Sequence, residues 1–320
     1  MRSIFQCAVV LLAVAIFPLP SDENISTARY FSQMAVLPQD RVPLYAEVPE
    51  HLRLTPIAEQ VKTRRLEQAR TVSSTGFRLQ IPGTGTTHEE GNYVVSSRPV
   101  NRSVLLIGDS LSIPLGQRLE EHFLKTPGLA FQRYGKVSSG LARPDFFDWE
   151  AGLTSLTRSM RPDTVMIMLG TNDTQSLKSP DGRVHHFGDT GWEKEYGRRM
   201  QRLFDICRAS NPKARIYWIG APIMGKPKLA QDVKAVNLVA RSRCERTRDC
   251  HFVDTWAVLA DREGNYLAAA DIAGERVRLR SDDGIHLSGP GARLLTDRFI
   301  SAMGQIESDQ AGLTAARPAG

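Results

Sequence analysis

Residues 104–112 read VLLIGDSLS. The continuous apolar run Val104–Ile107 ends at Gly108, and beyond it apolar residues recur at Leu111, Leu115, Leu119 and Phe123. A strand with one wet face alternates apolar and polar residues. An uninterrupted apolar strand is buried on both faces, as in a parallel sheet covered by helices. The step of four that follows is the period of an amphipathic helix. These twenty residues therefore spell one strand–turn–helix unit, with Gly108-Asp109-Ser110 at the turn.

Outward from it the unit repeats. FQRYGKV (131–137), TVMIML (164–169), ARIYWIGAP (214–222) and HFVDTWAVL (251–259) read as four more strands. Between them lie helical stretches near 151–160, through Tyr196, Met200, Leu203, Phe204 and Cys207, and over 230–247, and a last helix spans 290–302. Strands alternating with helices predict an α/β fold, a five-stranded parallel sheet covered on both faces. In such sheets ligands bind outside the carboxyl ends of the strands. Residues 108–110, 138–140, 170–173 and 221–225 then share one rim, and Asp283-Gly284-Ile285-His286 comes just before the last helix.

These rim residues suit acyl transfer. A serine at a strand-to-helix turn is exposed near the positive end of the helix dipole. Its hydroxyl needs a base, and neutral histidine is the side chain suited to that near pH 7. An aspartate three residues before the histidine can fix its tautomer and orientation. The developing oxyanion needs donors: a backbone N–H at the nucleophile, a glycine N–H and an amide such as that of Asn172. Asp109 reads as a brace for the turn. Each of these motifs occurs by chance when alone; their order after successive strands is specific.

VLLIGDSLS, SSGLARPD, LGTND and DDGIH resemble blocks I, II, III and V of the SGNH (GDSL-like) hydrolases, over about residues 102–304. SGLARPDFFDW, with LGTND and FVDTW, looks most like a little-characterised bacterial envelope branch of that superfamily. The resemblance implies a flavodoxin-like three-layer α/β/α fold with neither metal nor organic cofactor. It implies Ser110 as nucleophile, His286 as base and Asp283 as its orienter. The oxyanion donors would be Ser110, through its amide, with Gly140 and Asn172. Nothing departs from the pattern at these five positions.

The whole chain has 320 residues, enough to bury a large core without disulfide staples. Lysine plus arginine number 41 against 35 acidic residues, a net charge of +6, and no dense basic stretch argues for nucleic acid. Neither G-x-G-x-x-G nor G-x-x-x-x-G-K occurs, which argues against a nucleotide-binding protein. Residues 1–20, with Arg2 ahead of an apolar run, read as a secretory signal or an uncleaved membrane anchor. Residues 21–100 read as a proline-containing linker arm, with one amphipathic helix from Ile57 to Arg70. The hydrolase domain follows over 101–305, and 306–320 reads as a disordered tail.

Several features carry more than one reading. Arg143, Phe147 and Trp149, with Phe146, follow the oxyanion glycine and either line a sugar-binding cleft or pack in the core. His185 and His186, near Asp181 and Asp189, lack metal-ligand spacing and read as a loop over the site. Cys244 and Cys250 can close a small disulfide loop in an oxidising compartment, while Cys207 lies on a buried helix stripe. The expected activity is a serine esterase acting on O-acylated carbohydrate or another ester outside the cytoplasm. An O-acyltransferase using the same residues with a sugar hydroxyl as acceptor, and a silent glycan-binding module, remain as rivals.

Overall fold

The computed structural model describes residues 73–79, 88–95 and 100–315; the expected signal or anchor and the helix from Ile57 to Arg70 lie outside them. The described chain runs β1 (Ser73–Leu79), β2 (His88–Val95), β3 (Arg102–Gly108), α1 (Ser112–Phe123) and β4 (Leu129–Gly135). Next come α2 (Trp149–Met160), β5 (Thr164–Met168), a small hairpin of β6 (Leu177–Lys178) and β7 (Val184–His185), and α3 (Thr190–Ser210). The rest is β8 (Arg215–Ile219), α4 (Pro227–Glu245), β9 (Cys250–Val253), a hairpin of β10 (Ala269–Ile272) and β11 (Glu275–Arg278), and α5 (Gly289–Ala315).

The main sheet has the order β1-β2-β4-β3-β5-β8-β9, in which β4, β3, β5, β8 and β9 pair in parallel. Numbered among themselves, the five parallel strands stand 2-1-3-4-5, the flavodoxin-like order. The chain reverses direction across the sheet between β3 and β5, and loops leaving those strands open a crevice there. This is the fold that the sequence resemblance implied.

Burial on both faces follows from the apolar strands. Leu105 and Ile107 face one core, with Leu153 and Leu156 of α2 and Met200 and Leu203 of α3. Val104 and Leu106 face the other, with Leu115 and Leu119 of α1 and Leu295 and Phe299 of α5. Helix α2 starts where Asp148 accepts hydrogen bonds from the N–H groups of Glu150 and Ala151, at 2.9 and 3.0 Å. Cys244 and Cys250 form a disulfide between the end of α4 and β9, and Cys207 is a buried free thiol.

HFVDTWAVL is a strand only as far as Val253, with a 3₁₀ turn over Trp256–Leu259, and two domain boundaries also differ from the sequence reading. The stretch read as a linker arm contributes two antiparallel strands, with β2 pairing to β4 from Asn92↔Arg133 to Val95↔Ala130. Its prolines flank these strands rather than fall within them, so they are compatible with pairing. The residues read as a disordered tail continue α5 as far as Ala315. Leu294, Ile300, Met303 and Ile306 of this helix pack against the second core, and this contact carries it past the expected end.

Candidate active site

The nucleophile turn is built on a close approach. A Cβ on Gly108 would lie 2.3 Å from the Met168 carbonyl oxygen and 2.5 Å from Ser112 Cβ, so only glycine fits between β5 and the start of α1. Asp109 N–H donates to the Met168 carbonyl at 3.0 Å, and Asp109 Oδ1 accepts from Leu111 N–H at 2.9 Å. The turn therefore closes around Asp109 and leaves Ser110 at the amino end of α1.

The loop between β11 and α5 meets it there. His286 Nε2 lies 2.9 Å from Ser110 Oγ, and His286 Nδ1 lies 2.6 Å from Asp283 Oδ2. Asp283 Oδ1 accepts from the N–H groups of Ile285 and His286 at 2.8 and 3.0 Å, so both carboxylate oxygens are committed. Burial alone would raise the Asp283 carboxyl. The His286 hydrogen bond and the backbone N–H groups of His286 and Ile285 outweigh burial and hold it well below the usual carboxylate range. An ionised aspartate favours the tautomer with the proton on Nδ1, in which Nε2 accepts from the Ser110 hydroxyl.

The loops after β4 and β5 lie on the same rim, behind the nucleophile turn. Asn172 Nδ2 donates to the Ser139 carbonyl at 2.9 Å, which uses one of the two amide hydrogens and ties this side chain to the loop that carries Gly140. Asp173 is fully buried; its Oδ1 accepts from Ala142 N–H at 2.8 Å and its Oδ2 from the Tyr196 hydroxyl at 2.8 Å. Ser138 adopts φ 57°, the left-handed turn that reverses the chain just before Gly140.

Two buried carboxyls lie behind this rim. Burial pushes the Asp109 carboxyl up to about 7, against the Leu111 N–H, with the nearby Asp173 raising it further. Asp109 Oδ2 is buried, and the Thr171 backbone N–H beside the carboxyl opposes the rise only weakly. Asp173 is likewise raised by burial, opposed by the Ala142 N–H and the Tyr196 hydroxyl.

Ser110, His286 and Asp283 thus come together on the rim, while Gly140 and Asn172 lie on the neighbouring loops after β4 and β5, tied to each other through Ser139 and Asp173. The proposed sugar contacts divide. Phe147 and Trp149 are each 2% exposed, and they pack on each other with ring centroids 4.8 Å apart, beside Tyr134. The Trp149 indole N–H donates to Ser139 Oγ at 3.1 Å. They are core residues, and the cleft reading is corrected for both. Arg143 is exposed and paired with Asp145 at 2.7 Å, while Phe146 is 46% exposed on the same loop. His185 Nε2 lies 3.0 Å from Ser179 Oγ and His186 Nδ1 3.2 Å from Ser176 Oγ. Among the described residues no group of three or more His, Cys, Asp or Glu is placed to hold a metal.

One supporting residue gave no signal in the sequence. Arg280 is 1% exposed and donates to the carbonyls of Ile223 (2.8 Å), Gly284 (3.2 Å) and Ile285 (2.7 Å), pinning the loop that bears Asp283 and His286. In the linear sequence it is indistinguishable from the exposed Arg276 and Arg278.

Fold and site together define a class: a doubly wound α/β protein with a hydrogen-bonded serine–histidine–aspartate chain at the switch point of its sheet. The chain belongs to the family described as "Protein of unknown function (DUF459)", which it matches over residues 103–302. No curated protein matches it. It is similar to several solved structures at low identity. A carbohydrate esterase family 3 protein from Talaromyces cellulolyticus is 15% identical with a TM-score of 0.43, over 65% of this chain and 99% of that one. A member of the lipolytic protein G-D-S-L family from Veillonella parvula is 15% identical with a TM-score of 0.42, over 62% and 97%. A family two carbohydrate esterase from Clostridium thermocellum is 13% identical with a TM-score of 0.43, over 65% and 64%.

Proposed function

We propose that the protein is a serine hydrolase of ester bonds. The observation that carries this reading is the continuous chain from Ser110 Oγ through His286 to Asp283, at 2.9 and 2.6 Å. In the reaction His286 takes the Ser110 proton as Oγ adds to the ester carbonyl. The Ser110 amide, the Gly140 N–H and the second Asn172 amide hydrogen receive the charge that develops on the carbonyl oxygen. Collapse expels the alcohol, which takes the proton from His286 and leaves Ser110 acylated. Water, deprotonated by His286, then releases the acid and restores the serine. A sugar hydroxyl in place of that water makes the same site an O-acyltransferase.

The substrate we favour is an O-acylated carbohydrate of the cell envelope, met outside the cytoplasm. The exposed Phe146 ring on the Gly140 loop, beside the Arg143–Asp145 pair, suits the apolar face and the hydroxyls of a sugar. The apolar run after Arg2 suits an exported or tethered enzyme. Among the described residues no helix is long and apolar enough to cross a membrane.

The test compares the full chain with Ser110→Ala. The expected result is hydrolysis of a short aryl ester and labelling by a fluorophosphonate, both lost in the variant with circular dichroism unchanged. Labelling or turnover that survives in Ser110→Ala refutes the serine reading. Incubation with O-acetylated envelope glycan, tracking free acetate and glycan-bound acetyl, separates hydrolysis from transfer. Cleavage of small esters with no change in any glycan refutes the carbohydrate assignment.

A further inference from the structure

Helix α3 presents three long side chains to the rim loops from one face. Trp192, Tyr196 and Arg199 stand at i, i+4 and i+7, so they lie in one row along the helix. Trp192 and Tyr196 stack with centroids 4.8 Å apart. The Trp192 indole N–H donates to the Gln175 carbonyl at 2.7 Å, and the Tyr196 hydroxyl to Asp173 at 2.8 Å. Both contacts fall on the segment that follows Asn172.

Arg199 ends this row and differs from its neighbours on the helix. Arg198 and Arg202 reach solvent, whereas Arg199 is 5% exposed. Its Nε pairs with the equally buried Glu195 at 2.9 Å. One terminal nitrogen donates to the Leu141 carbonyl and the other to the Lys178 carbonyl, each at 2.5 Å. Leu141 adjoins Gly140, and Lys178 ends the strand that leaves the Asn172 loop. A single planar guanidinium therefore spans the two loops that supply the side-chain and glycine donors. A buried arginine is costly unless its charge is paired, and here each of the three nitrogens makes one hydrogen bond, one of them to the Glu195 carboxylate.

We propose that Arg199 is a positioning residue for the oxyanion donors, setting the distance between the loop of Gly140 and the loop of Asn172. The assignment rests on the reading of Gly140 and Asn172 as those donors. Donor groups act on the transition state only when held where the charge develops, and displacement by about 1 Å can cost about a hundredfold. Lysine keeps the charge but has no rigid fork, and cannot hold Glu195 and two divergent carbonyls in one plane.

The experiment measures aryl-ester kinetics for the full chain, Arg199→Lys, Glu195→Gln, Asn172→Ala and the double variant Arg199→Lys/Asn172→Ala, with thermal melting of each. The expected result for Arg199→Lys is a kcat about tenfold lower or less, with KM within about twofold. Glu195→Gln, which loosens the guanidinium while leaving both carbonyl bonds possible, lowers kcat by a smaller factor. Asn172→Ala then costs less in the Arg199→Lys background than in the parent, because the donor it removes is already displaced. A purely architectural arginine would lower the melting temperature and leave the two kcat effects multiplicative. Unchanged kcat in folded Arg199→Lys or Glu195→Gln, or strict multiplicativity in the double variant, overturns the proposal. Failure of the serine reading has a different signature, turnover that survives Ser110→Ala.

Discussion

Asp173 occupies the space that a side chain on Gly140 would need. A Cβ on Gly140 would lie 2.1 Å from Asp173 Oδ1, the oxygen that already accepts from Ala142 N–H. Gly140 is thus glycine because a buried carboxyl from the next loop abuts its backbone. Gly140→Ala is expected to move both loops apart, lower kcat by about a hundredfold or more and reduce the melting temperature. A variant with parental kcat would place the oxyanion donor elsewhere.

Asn172→Ala is expected to lower kcat by about 10²–10³-fold with little change in KM, since the amide acts on charge that forms only in the transition state. Steady-state kinetics on a short aryl ester measure it. A rise confined to KM would make Asn172 a ground-state binding residue.

Asp283→Asn keeps the shape of the loop but lets the imidazole take the wrong tautomer. The comparable change in a serine protease costs about 10⁴-fold, and a loss of at least about 10³-fold in kcat is expected here, with circular dichroism unchanged. Retention of most activity would show that the Ile285 and His286 backbone contacts orient the ring without the charge.

Asp109 predicts a pH dependence of stability. Its carboxyl is pushed up to about 7 in the folded chain, chiefly by burial, from about 4 when unfolded. Between those values the folded state holds a proton that the unfolded state has released, so this contribution is complete below about pH 4 and is lost as the pH rises through about 7. Asp109→Asn removes the ionisation while keeping an acceptor for Leu111 N–H. Its melting temperature should gain on the parent from pH 4 upward and the gap should level off above about pH 7. Parallel curves over pH 4–9 would mean Asp109 ionises without cost.

Trp149 and Phe146, three residues apart, should behave as opposites. Trp149→Ala empties a fully enclosed site and is expected to cost about 3–5 kcal/mol, read from urea unfolding. Phe146→Ala should alter stability by about 0.5 kcal/mol or less while raising KM on a glycan substrate.

The meeting of Ser110, His286 and Asp283 was legible in part, because the uninterrupted apolar runs mark the strand ends and so place Ser110 at a rim turn. What stayed illegible depends on tertiary placement. Nothing in FFDW says that Phe146 faces water while Phe147 and Trp149 face the core; the loop's fold onto Tyr134 decides that. Arg199 and Arg280 look like surface arginines until the carbonyls they bridge are brought near. Strands β1 and β2 escaped notice because SSTGFRL and HEEGNYVV carry neither a long apolar run nor a clean alternation. Their place in the sheet comes from the pairing of β2 with β4 and of β1 with β2.

That pairing bears on how the protein can be handled. A boundary drawn at residue 101, where the apolar strands begin, would remove both β1 and β2 and strip β4 of its partner from Ala130 to Arg133. The N–H and C=O groups of that strand would then line a bare sheet margin, the kind of surface on which separate molecules stack into aggregates. A shortened form meant to stay monodisperse at high concentration should keep everything from Ser73 onward.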